Sequence, residues 1–372
     1  MRAELKIGPL SVDSPVVLAP MAGVTNAAFR ALCRTFGGGL YVSEMVSARA
    51  LCEGNERTET MVAGAPGEQV RSVQLYGVDP YWVGEAVQRV VDLGVDHIDL
   101  NSGCPSPKVT RRGGGGALPA HHVLFGTIVA AAVRAAGPVP VTVKMRKGID
   151  ADNLTYLEAA SAAEDAGVAA IALHARTVEQ LYSGSADWQA IRTLKEHIRS
   201  VPVLGNGDIW CGQDGVRMVE ETGCDGIVVG RGCLGRPWLF RDLADAFAGR
   251  PVQAPPTLGE VADIMARHAR LLVEHLGDEF IAVRDFRKHT GWYLTGFPAG
   301  GEMRRKLAMA GSLAELDDLL AQLDRTATLA PGNEALPRGH SHGPKEVALP
   351  DRWMETRDDP TPPTGADRAY CG

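Results

Sequence analysis

Residues 202–231 read PVLGNGDIWCGQDGVRMVEETGCDGIVVGR, and this stretch holds two short apolar runs separated by one amphipathic run. The apolar runs are Pro202–Asn206 and Gly226–Arg231, and Gln213–Glu221 between them has the apolar spacing of a helix. A glycine directly follows each apolar run. A strand, a helix and a second strand in this order form a β/α unit, in which the two strands are parallel.

The same unit repeats along the first 245 residues, which predicts a closed (β/α)8 barrel, the TIM-barrel fold. Runs such as Tyr81–Asp92, His122–Ala135 and Leu154–Ala166 supply helices between most strands, and the connection after Met45 is the least regular. An open doubly wound sheet is the alternative, but Pro20-Met21-Ala22-Gly23 is not the G-x-G-x-x-G fingerprint that it would want. The eight predicted strands are Val16–Met21, Leu40–Met45, Ser72–Tyr76, His97–Asn101, Pro140–Met145, Ala170–Ala175, Pro202–Asn206 and Gly226–Arg231.

A proline-rich joint at Pro251–Pro256 separates the barrel from a predicted helical domain. Thr257-Leu258-Gly259-Glu260 and Ser312-Leu313-Ala314-Glu315 are capping boxes, and each opens a run with helical apolar spacing. From about Pro331 the chain has seven prolines, five glycines and little apolar content, so we expect a disordered or loosely attached tail. We therefore predict a barrel at residues 1–248, a helical domain at 256–326 and a low-complexity tail at 327–372.

The composition is that of a globular protein, with 45% hydrophobic and 22% charged residues. No run of roughly eighteen apolar residues occurs and the N-terminus has no signal-peptide core, so we expect a cytoplasmic protein without membrane contact. The seven cysteines form no C-x-x-C pair, and His340 and His342 are isolated, so we expect reduced thiols and no metal site. The net charge of −7 argues against a nucleic-acid binder only as a whole-chain sum, because a polyanion senses the local field.

Polar residues gather where the predicted strands end, the face at which barrel enzymes carry out their chemistry. Singly, Gln74 or His174 is more readily interpreted as a satisfied structural group than as a functional one. Their convergence on one rim favours a site, because so many buried polar groups rarely satisfy one another. The rim residues are Pro20-Met21-Ala22, Glu44, Gln74, Asn101, Cys104, Lys144, His174, Gly205-Asn206-Gly207-Asp208 and Gly230-Arg231-Gly232.

The two glycine-rich loops after the seventh and eighth predicted strands are typical of the phosphate cradle of this fold. Glycine lets backbone N–H groups approach an anion, and Arg231 adds a charged fork. Such loops fit any phosphorylated ligand. Lys144 has two interpretations, namely the Schiff-base lysine of an aldolase and a fixed cation beside an electron-rich cofactor or substrate.

Cys104 directly follows the fourth predicted strand, where a loop enters the barrel mouth. A free thiol has a pKa of about 8.5 and is mostly protonated at neutral pH, so it can act as a general acid. Arg111-Arg112 and the glycine run Gly113–Gly116 predict either a mobile loop that meets phosphates or a solvated basic turn. We interpret four other cysteines as buried apolar side chains, namely Cys33, Cys211, Cys224 and Cys233.

Several long motifs together resemble the tRNA-dihydrouridine synthases, most closely the bacterial B-type branch. The resemblance covers roughly residues 5–325. In the helical part, Arg287-Lys288-His289 followed by Trp292-Tyr293 is similar to the RNA-facing segment of that family. The barrel motifs are LAPMAGVTN at 18–26, NSGCP at 101–105, HART at 174–177, YSGSADW at 182–188, GNGDI at 205–209, GRG at 230–232 and RPWLF at 236–240.

The resemblance implies FMN in the barrel mouth, NADPH or else NADH as the electron source, and reduction of the C5=C6 bond of a uridine in tRNA. It places the proton donor at Cys104 and favours the fixed-cation role for Lys144, which would stabilise negative charge on reduced flavin. The implied substrate contacts are Asn101, Arg176, Arg287 and Lys288. The implied FMN contacts are Pro20, Met21, Ala22, Gln74, Lys144, His174, Asn206, Gly207, Asp208, Gly230 and Arg231.

A tRNA substrate would explain the second domain, because a uracil in a folded tRNA must be extruded to reach a barrel mouth. The window Arg284–Lys306 has six Lys or Arg against two acids, a local net charge of +4, although a solvated helix face would show the same excess. Three rival functions stay open: reduction or oxidation of a free pyrimidine, as in dihydroorotate dehydrogenases, an aldolase, and a non-catalytic tRNA-binding scaffold. We expect a monomer.

Overall fold

The computed structural model describes residues 4–65, 67–339 and 343–366, and His340, His342 and Cys371 lie outside these ranges. Eight parallel strands form a closed barrel in chain order, and the last strand pairs with the first between Ile227–Val229 and Val16–Leu18. The predicted barrel is therefore confirmed and the open sheet is wrong. The barrel strands are β3 (Val16–Leu18), β4 (Leu40–Ser47), β5 (Ser72–Tyr76), β6 (His97–Ser102), β7 (Val141–Arg146), β8 (Ala170–His174), β9 (Val203–Asn206) and β10 (Gly226–Val229).

A short antiparallel hairpin, β1 (Leu5–Ile7) and β2 (Leu10–Val12), precedes the barrel. Its apolar side chains share one buried cluster with inward residues of the barrel such as Val17 and Leu204. The hairpin therefore supplies apolar side chains to the barrel interior. The hairpin was not predicted from the sequence, because strands of three residues are too short to show a periodicity.

Helices surround the barrel and pack on it through one apolar face. In the helix Pro80–Asp92, Asp79 accepts a hydrogen bond from the backbone N–H of Tyr81, which caps the N-terminus. Its buried face consists of Val83, Ala86, Val87 and Val90, and each fully buried valine contributes about 1.5 kcal/mol or more. The helices of this layer are α1 (Ala27–Arg34), α2 (Ala48–Cys52), α3 (Glu56–Val62), α4 (Pro80–Asp92), α5 (Pro107–Thr110), α6 (His122–Ala136), α7 (Tyr156–Asp165), α8 (Trp188–His197), α9 (Gly212–Thr222) and α10 (Leu239–Phe247).

In the part of the chain that the structure describes, four further helices follow the proline-rich joint and share their own apolar core. Both halves of the capping box that the sequence predicts at Thr257 and Glu260 are present. At the second predicted box only one half is present: the Ser312 hydroxyl accepts from the backbone N–H of Glu315. The Glu315 carboxylate accepts from the backbone N–H of Gly311 instead of that of Ser312. The core of this domain includes Ala28 of α1 and so continues onto the barrel layer. The four helices are α11 (Leu258–Leu276), α12 (Glu279–Tyr293), α13 (Gly301–Leu307) and α14 (Leu313–Ala321).

The tail has no α-helix or strand in its described part, as its composition predicts, and contains only the 3-10 turn Asn333–Ala335. It is not detached, however, because Trp353 is 5% exposed and belongs to the main hydrophobic cluster. A large aromatic side chain therefore helps to anchor a segment that composition alone describes as polar. Across the described ranges, none of the helices combines the length and apolarity of a membrane span.

Candidate active site

A cavity of about 490 Å³ opens at the carboxyl ends of the barrel strands. Most of the predicted rim residues line it. The exceptions among the predicted site residues and loops are Glu44, Gly205, Arg287 and the pair Arg111-Arg112, and the glycines 113–116 are buried rather than mobile over the cavity. The Glu44 carboxylate instead accepts from the backbone N–H of Gly23. The predicted residues that line the cavity are Pro20, Met21, Ala22, Gln74, Asn101, Cys104, Lys144, His174, Arg176, Asn206, Gly207, Asp208, Gly230, Arg231 and Lys288.

Cys104 is half-buried at the wall of the cavity, on the loop that follows β6. Its backbone N–H donates to Oδ1 of Asn101 at 3.0 Å, and its carbonyl accepts from the N–H of Gly116 at 3.0 Å. Burial raises the pKa of the Cys104 thiol, and only the backbone of Ser106 and the charge of Arg146 oppose this rise. The thiol is therefore protonated at neutral pH and can donate a proton into the cavity.

A chain of hydrogen bonds runs from the barrel interior to Cys104. The carboxylate of Asp99 accepts from the Thr142 hydroxyl at 2.6 Å and from Nε2 of Gln74 at 2.6 Å. Nδ2 of Asn101 donates to Oε1 of Gln74 at 2.8 Å. Because a carboxylate can only accept, Asp99 dictates which way both amides face, and Asn101 is left with its oxygen toward Cys104.

Lys144 lies on β7 and points its ammonium at Oδ1 of Asn206, 2.9 Å away. Nδ2 of Asn206 in turn donates to the carbonyl of Val228, which holds the amide in this orientation. The pKa of Lys144 is lowered to about 8, mainly by burial and also by the charge of Arg146, while the charge of Asp99 opposes the shift. At neutral pH the side chain is still mostly cationic and Asn206 holds its ammonium, so Lys144 can act as a fixed cation in the cavity.

His174 ends β8 and is neutral in this site. Burial lowers its pKa well below the usual value, and the charges of Arg146, Lys144, Arg176 and Arg231 add to the effect. The ring therefore offers one N–H donor and one acceptor to the cavity rather than a positive charge.

Arg176 and Asp208 form an ion pair of 2.7 Å between the loops that follow β8 and β9. Arg176 also donates to the carbonyls of Ser183 and Gly184, at 3.1 Å and 2.6 Å, while Asp208 accepts from the N–H of Ala186. Nη1 of Arg176 is buried and has no hydrogen-bond partner within the described residues. The pair therefore fastens the loop at 183–186 to the loop that follows β9.

The glycine-rich loops after β9 and β10 form one end of the cavity. Gly207 has a φ of 131°, a conformation in which a side chain would be strained and would collide with Ala186. The guanidinium of Arg231 stacks on Tyr182, 4.5 Å from the ring centroid, and forms no salt bridge with any carboxylate that the structure describes. This end of the cavity therefore presents a cation, Arg231, and glycine backbone that no side chain covers, and both can contact an anionic group.

Arg146 and Asp99 are site residues that the sequence analysis missed. Arg146 is buried and donates to the carbonyls of Gly103, Thr177 and Leu181, so it joins the Cys104 loop to the loop after β8. Strand periodicity was the available signal, since Arg146 stands two residues after Lys144 and Asp99 two residues before Asn101. Both positions therefore share the inward side of a predicted rim residue.

Two adjacent cations of α12 have different surroundings. Lys288 reaches the cavity and pairs with Asp285 at 2.6 Å. Arg287 instead donates through Nε to the carbonyl of Ala310 at 2.8 Å and does not line the cavity. The helix therefore directs only the second of the two predicted contacts toward the barrel mouth.

The family model and the sequence relatives agree on one family. The family model described as "Dihydrouridine synthase (Dus)" matches residues 17–328. A "Probable tRNA-dihydrouridine synthase" of Mycobacterium tuberculosis is 55% identical over 99% of this chain and 97% of its own length. A "tRNA-dihydrouridine synthase B" of Pseudomonas aeruginosa is 40% identical over 81% of this chain and 90% of its own length. Among solved structures, morphinone reductase superimposes with a TM-score of 0.49 at 14% identity, covering 68% of this chain and 90% of that chain.

Proposed function

The chain belongs to the dihydrouridine synthase family, and we propose that it binds FMN in the barrel mouth and uses NADPH to reduce the C5=C6 bond of a uridine in tRNA. It is an oxidoreductase of tRNA modification. The observation that carries the detailed proposal is the protonated thiol of Cys104 at the wall of a cavity that also contains Lys144 and Arg231.

The cavity fits a flavin phosphate at its glycine-rich end. The backbone at Gly230 and the guanidinium of Arg231, which forms no salt bridge within the described residues, line this end of the cavity and would supply donors to the phosphate. A Cβ at Gly230 would meet only Ala19 at 3.7 Å, so space remains beside this backbone. Gln74, Lys144, His174 and Asn206 would then hold the ring end of the cofactor, with Pro20, Met21, Ala22, Gly207 and Asp208 completing its surroundings.

Two residues have separate roles in the reaction: Cys104 supplies a proton and Lys144 supplies a fixed positive charge. Bound flavin supplies the hydride that adds to C6 of the uracil. The thiol of Cys104 then delivers its proton to C5, and the thiolate left behind lies near the charge of Arg146. Lys144 provides a cation that needs no reorganisation during the reaction, because Asn206 already holds its ammonium in place.

The helical domain would hold the tRNA while one uridine enters the cavity. Lys288 stands at the cavity and Arg284 and Arg305 are exposed on the same domain, so phosphates can reach all three. Asn101 lines the cavity next to Cys104 and would contact the uracil there. We further propose that the enzyme is a monomer and acts in the cytoplasm.

A substrate comparison tests this function. The purified flavoprotein is given NADPH and either unmodified tRNA or free uracil, and the product, dihydrouridine in the tRNA or free dihydrouracil, is measured by mass spectrometry. We expect turnover on tRNA and none on the free base. Turnover of free uracil together with no reaction on tRNA would replace the proposal by a free-pyrimidine reductase.

A further inference from the structure

Residues 343–366, which we call the strap, lie against the part of the barrel rim that carries Cys104. The ring of Trp353 stacks on that of His121 with 3.5 Å between centroids and 24° between planes. Trp353 is buried among apolar side chains of the main cluster, and Val347, Leu349 and Met354 of the strap pack on the same cluster. The contact is therefore a packed one rather than a surface touch.

The strap also forms hydrogen bonds with backbone carbonyls of the 3-10 turn Gly115–Ala120. Nε1 of Trp353 donates to the carbonyl of Ala117 at 3.0 Å, and Nε of Arg357 donates to that of Ala120 at 3.1 Å. His121 follows the turn, and its Nε2 donates to the carbonyl of Trp353 at 2.7 Å. Arg357 further pairs with Glu158 of α7. Three bonds in two directions thus fasten the turn to the strap.

The other side of this turn touches Cys104. The N–H of Gly116 donates to the Cys104 carbonyl at 3.0 Å, and a Cβ placed on Gly115 would lie only 2.7 Å from that oxygen. A Cβ placed on Gly113 would lie 2.6 Å from the ring of Trp353. The segment Gly113–Gly116 therefore packs between Trp353 and Cys104 so closely that neither Gly113 nor Gly115 has room for a side chain.

The strap contacts a second loop of the site and lies beyond the family's shared region. The N–H of Lys345 donates to the carbonyl of Glu179, in the loop after β8, at 3.0 Å. The family model ends at residue 328, whereas the Mycobacterium tuberculosis relative matches 99% of this chain and so includes the strap. The reaction itself therefore does not account for this segment.

We propose that Trp353 is a positioning residue, through which the strap holds the glycine-rich turn and with it the thiol of Cys104. Four consecutive glycines at 113–116 have far more conformational freedom than other residues, and the strap removes that freedom. Placement of the thiol matters, because a displacement of about 1 Å at a reacting group lowers a rate by about a hundredfold. The role of the thiol rests on the proposed function, but its placement by the strap does not.

The test measures both the thiol and the reaction in the purified flavoprotein. The variants are Trp353→Ala, Trp353→Phe and, as a matched control, Arg352→Ala at the neighbouring exposed position. Iodoacetamide alkylation of Cys104, followed by peptide mass spectrometry, reports how firmly the loop is held. Single-turnover experiments separately measure reduction of the flavin by NADPH and its reoxidation by tRNA.

For Trp353→Ala we expect alkylation of Cys104 about tenfold faster, slower reoxidation by tRNA and unchanged reduction by NADPH. Trp353→Phe keeps the stacked ring and should restore most of both properties, and Arg352→Ala should match the unmodified protein. An alkylation rate that Trp353→Ala leaves unchanged overturns the inference. If Cys104→Ala instead keeps full reoxidation by tRNA, the proposed acid is wrong, while the alkylation result still decides the role of the strap.

Discussion

Oδ2 of Asp99 accepts a hydrogen bond of 2.6 Å from Nε2 of Gln74 inside the barrel, and of these two residues only Gln74 lines the cavity. Burial raises the pKa of Asp99 to about 6, although the bonds from Thr142 and Gln74 and the charge of Lys144 oppose the rise. The carboxylate is therefore ionised at neutral pH in a place where ionisation is costly. The carboxylate orients the side-chain amides of Gln74 and Asn101, and Asn101 in turn contacts Cys104, so the unfavourable ionisation serves to position the site.

Asp99→Asn should make stability less dependent on pH. The pKa of Asp99 is about 6 when folded against an ordinary 3.8, so the folded state holds more protons between these values. Stability of the unmodified protein therefore falls as pH rises through this window, and the asparagine variant does not share that loss. The variant should gain up to about 3 kcal/mol relative to the unmodified protein between about pH 4 and neutral pH.

Urea unfolding of both proteins at several pH values across this range measures the difference, and other titrating groups cancel because both proteins contain them. The difference should increase up to about pH 6 and stay constant above it. A difference that is the same at every pH would mean that Asp99 does not carry the raised pKa.

Cys104→Ala should lower turnover by about a hundredfold or more while flavin and tRNA still bind, because only the proton-transfer step loses its donor. The pKa of the thiol is raised by burial, so activity that depends on it should persist at neutral pH and decline as pH rises through the raised value. Steady-state kcat is measured against pH for both proteins, with flavin absorbance as the control. Unchanged turnover in the variant would refute the assignment.

The barrel was predictable because its eight repeats carry strong periodicity, and the cavity was predictable because strand ends in this fold meet at one rim. Side-chain destinations were not. Arg287 and Lys288 are neighbours in sequence, yet a helix turns them about 100° apart, and only the contact with Ala310 shows where Arg287 ends. The attachment of the strap was not predictable, because a few scattered apolar residues such as Trp353 do not alter the composition of a polar segment.

Those two cations of α12 should respond differently to substitution. Lys288→Ala should weaken tRNA binding and reduce the slope of log affinity against log salt by about one, because one phosphate contact is lost. Arg287→Ala should mainly destabilise the helical domain, by about 1 kcal/mol, because the carbonyl of Ala310 loses its donor. Fluorescence anisotropy at several salt concentrations and thermal unfolding separate the two effects. Equal losses of tRNA affinity and salt slope in both variants would contradict this division.

Arg176→Lys tests whether the ion pair with Asp208 shapes the flavin site. Lysine keeps the charge but cannot bond Asp208, Ser183 and Gly184 at once, so the loop at 183–186 should loosen. We expect flavin affinity to fall by about tenfold, measured as a Kd by absorbance after dialysis. Asp208→Asn is the matched variant, because it removes the same pair from the other side. If the pair acts through the loop, the double variant should lose little more affinity than either single one, since coupled residues are not additive. Losses that add fully would show that Arg176 and Asp208 contact the flavin independently.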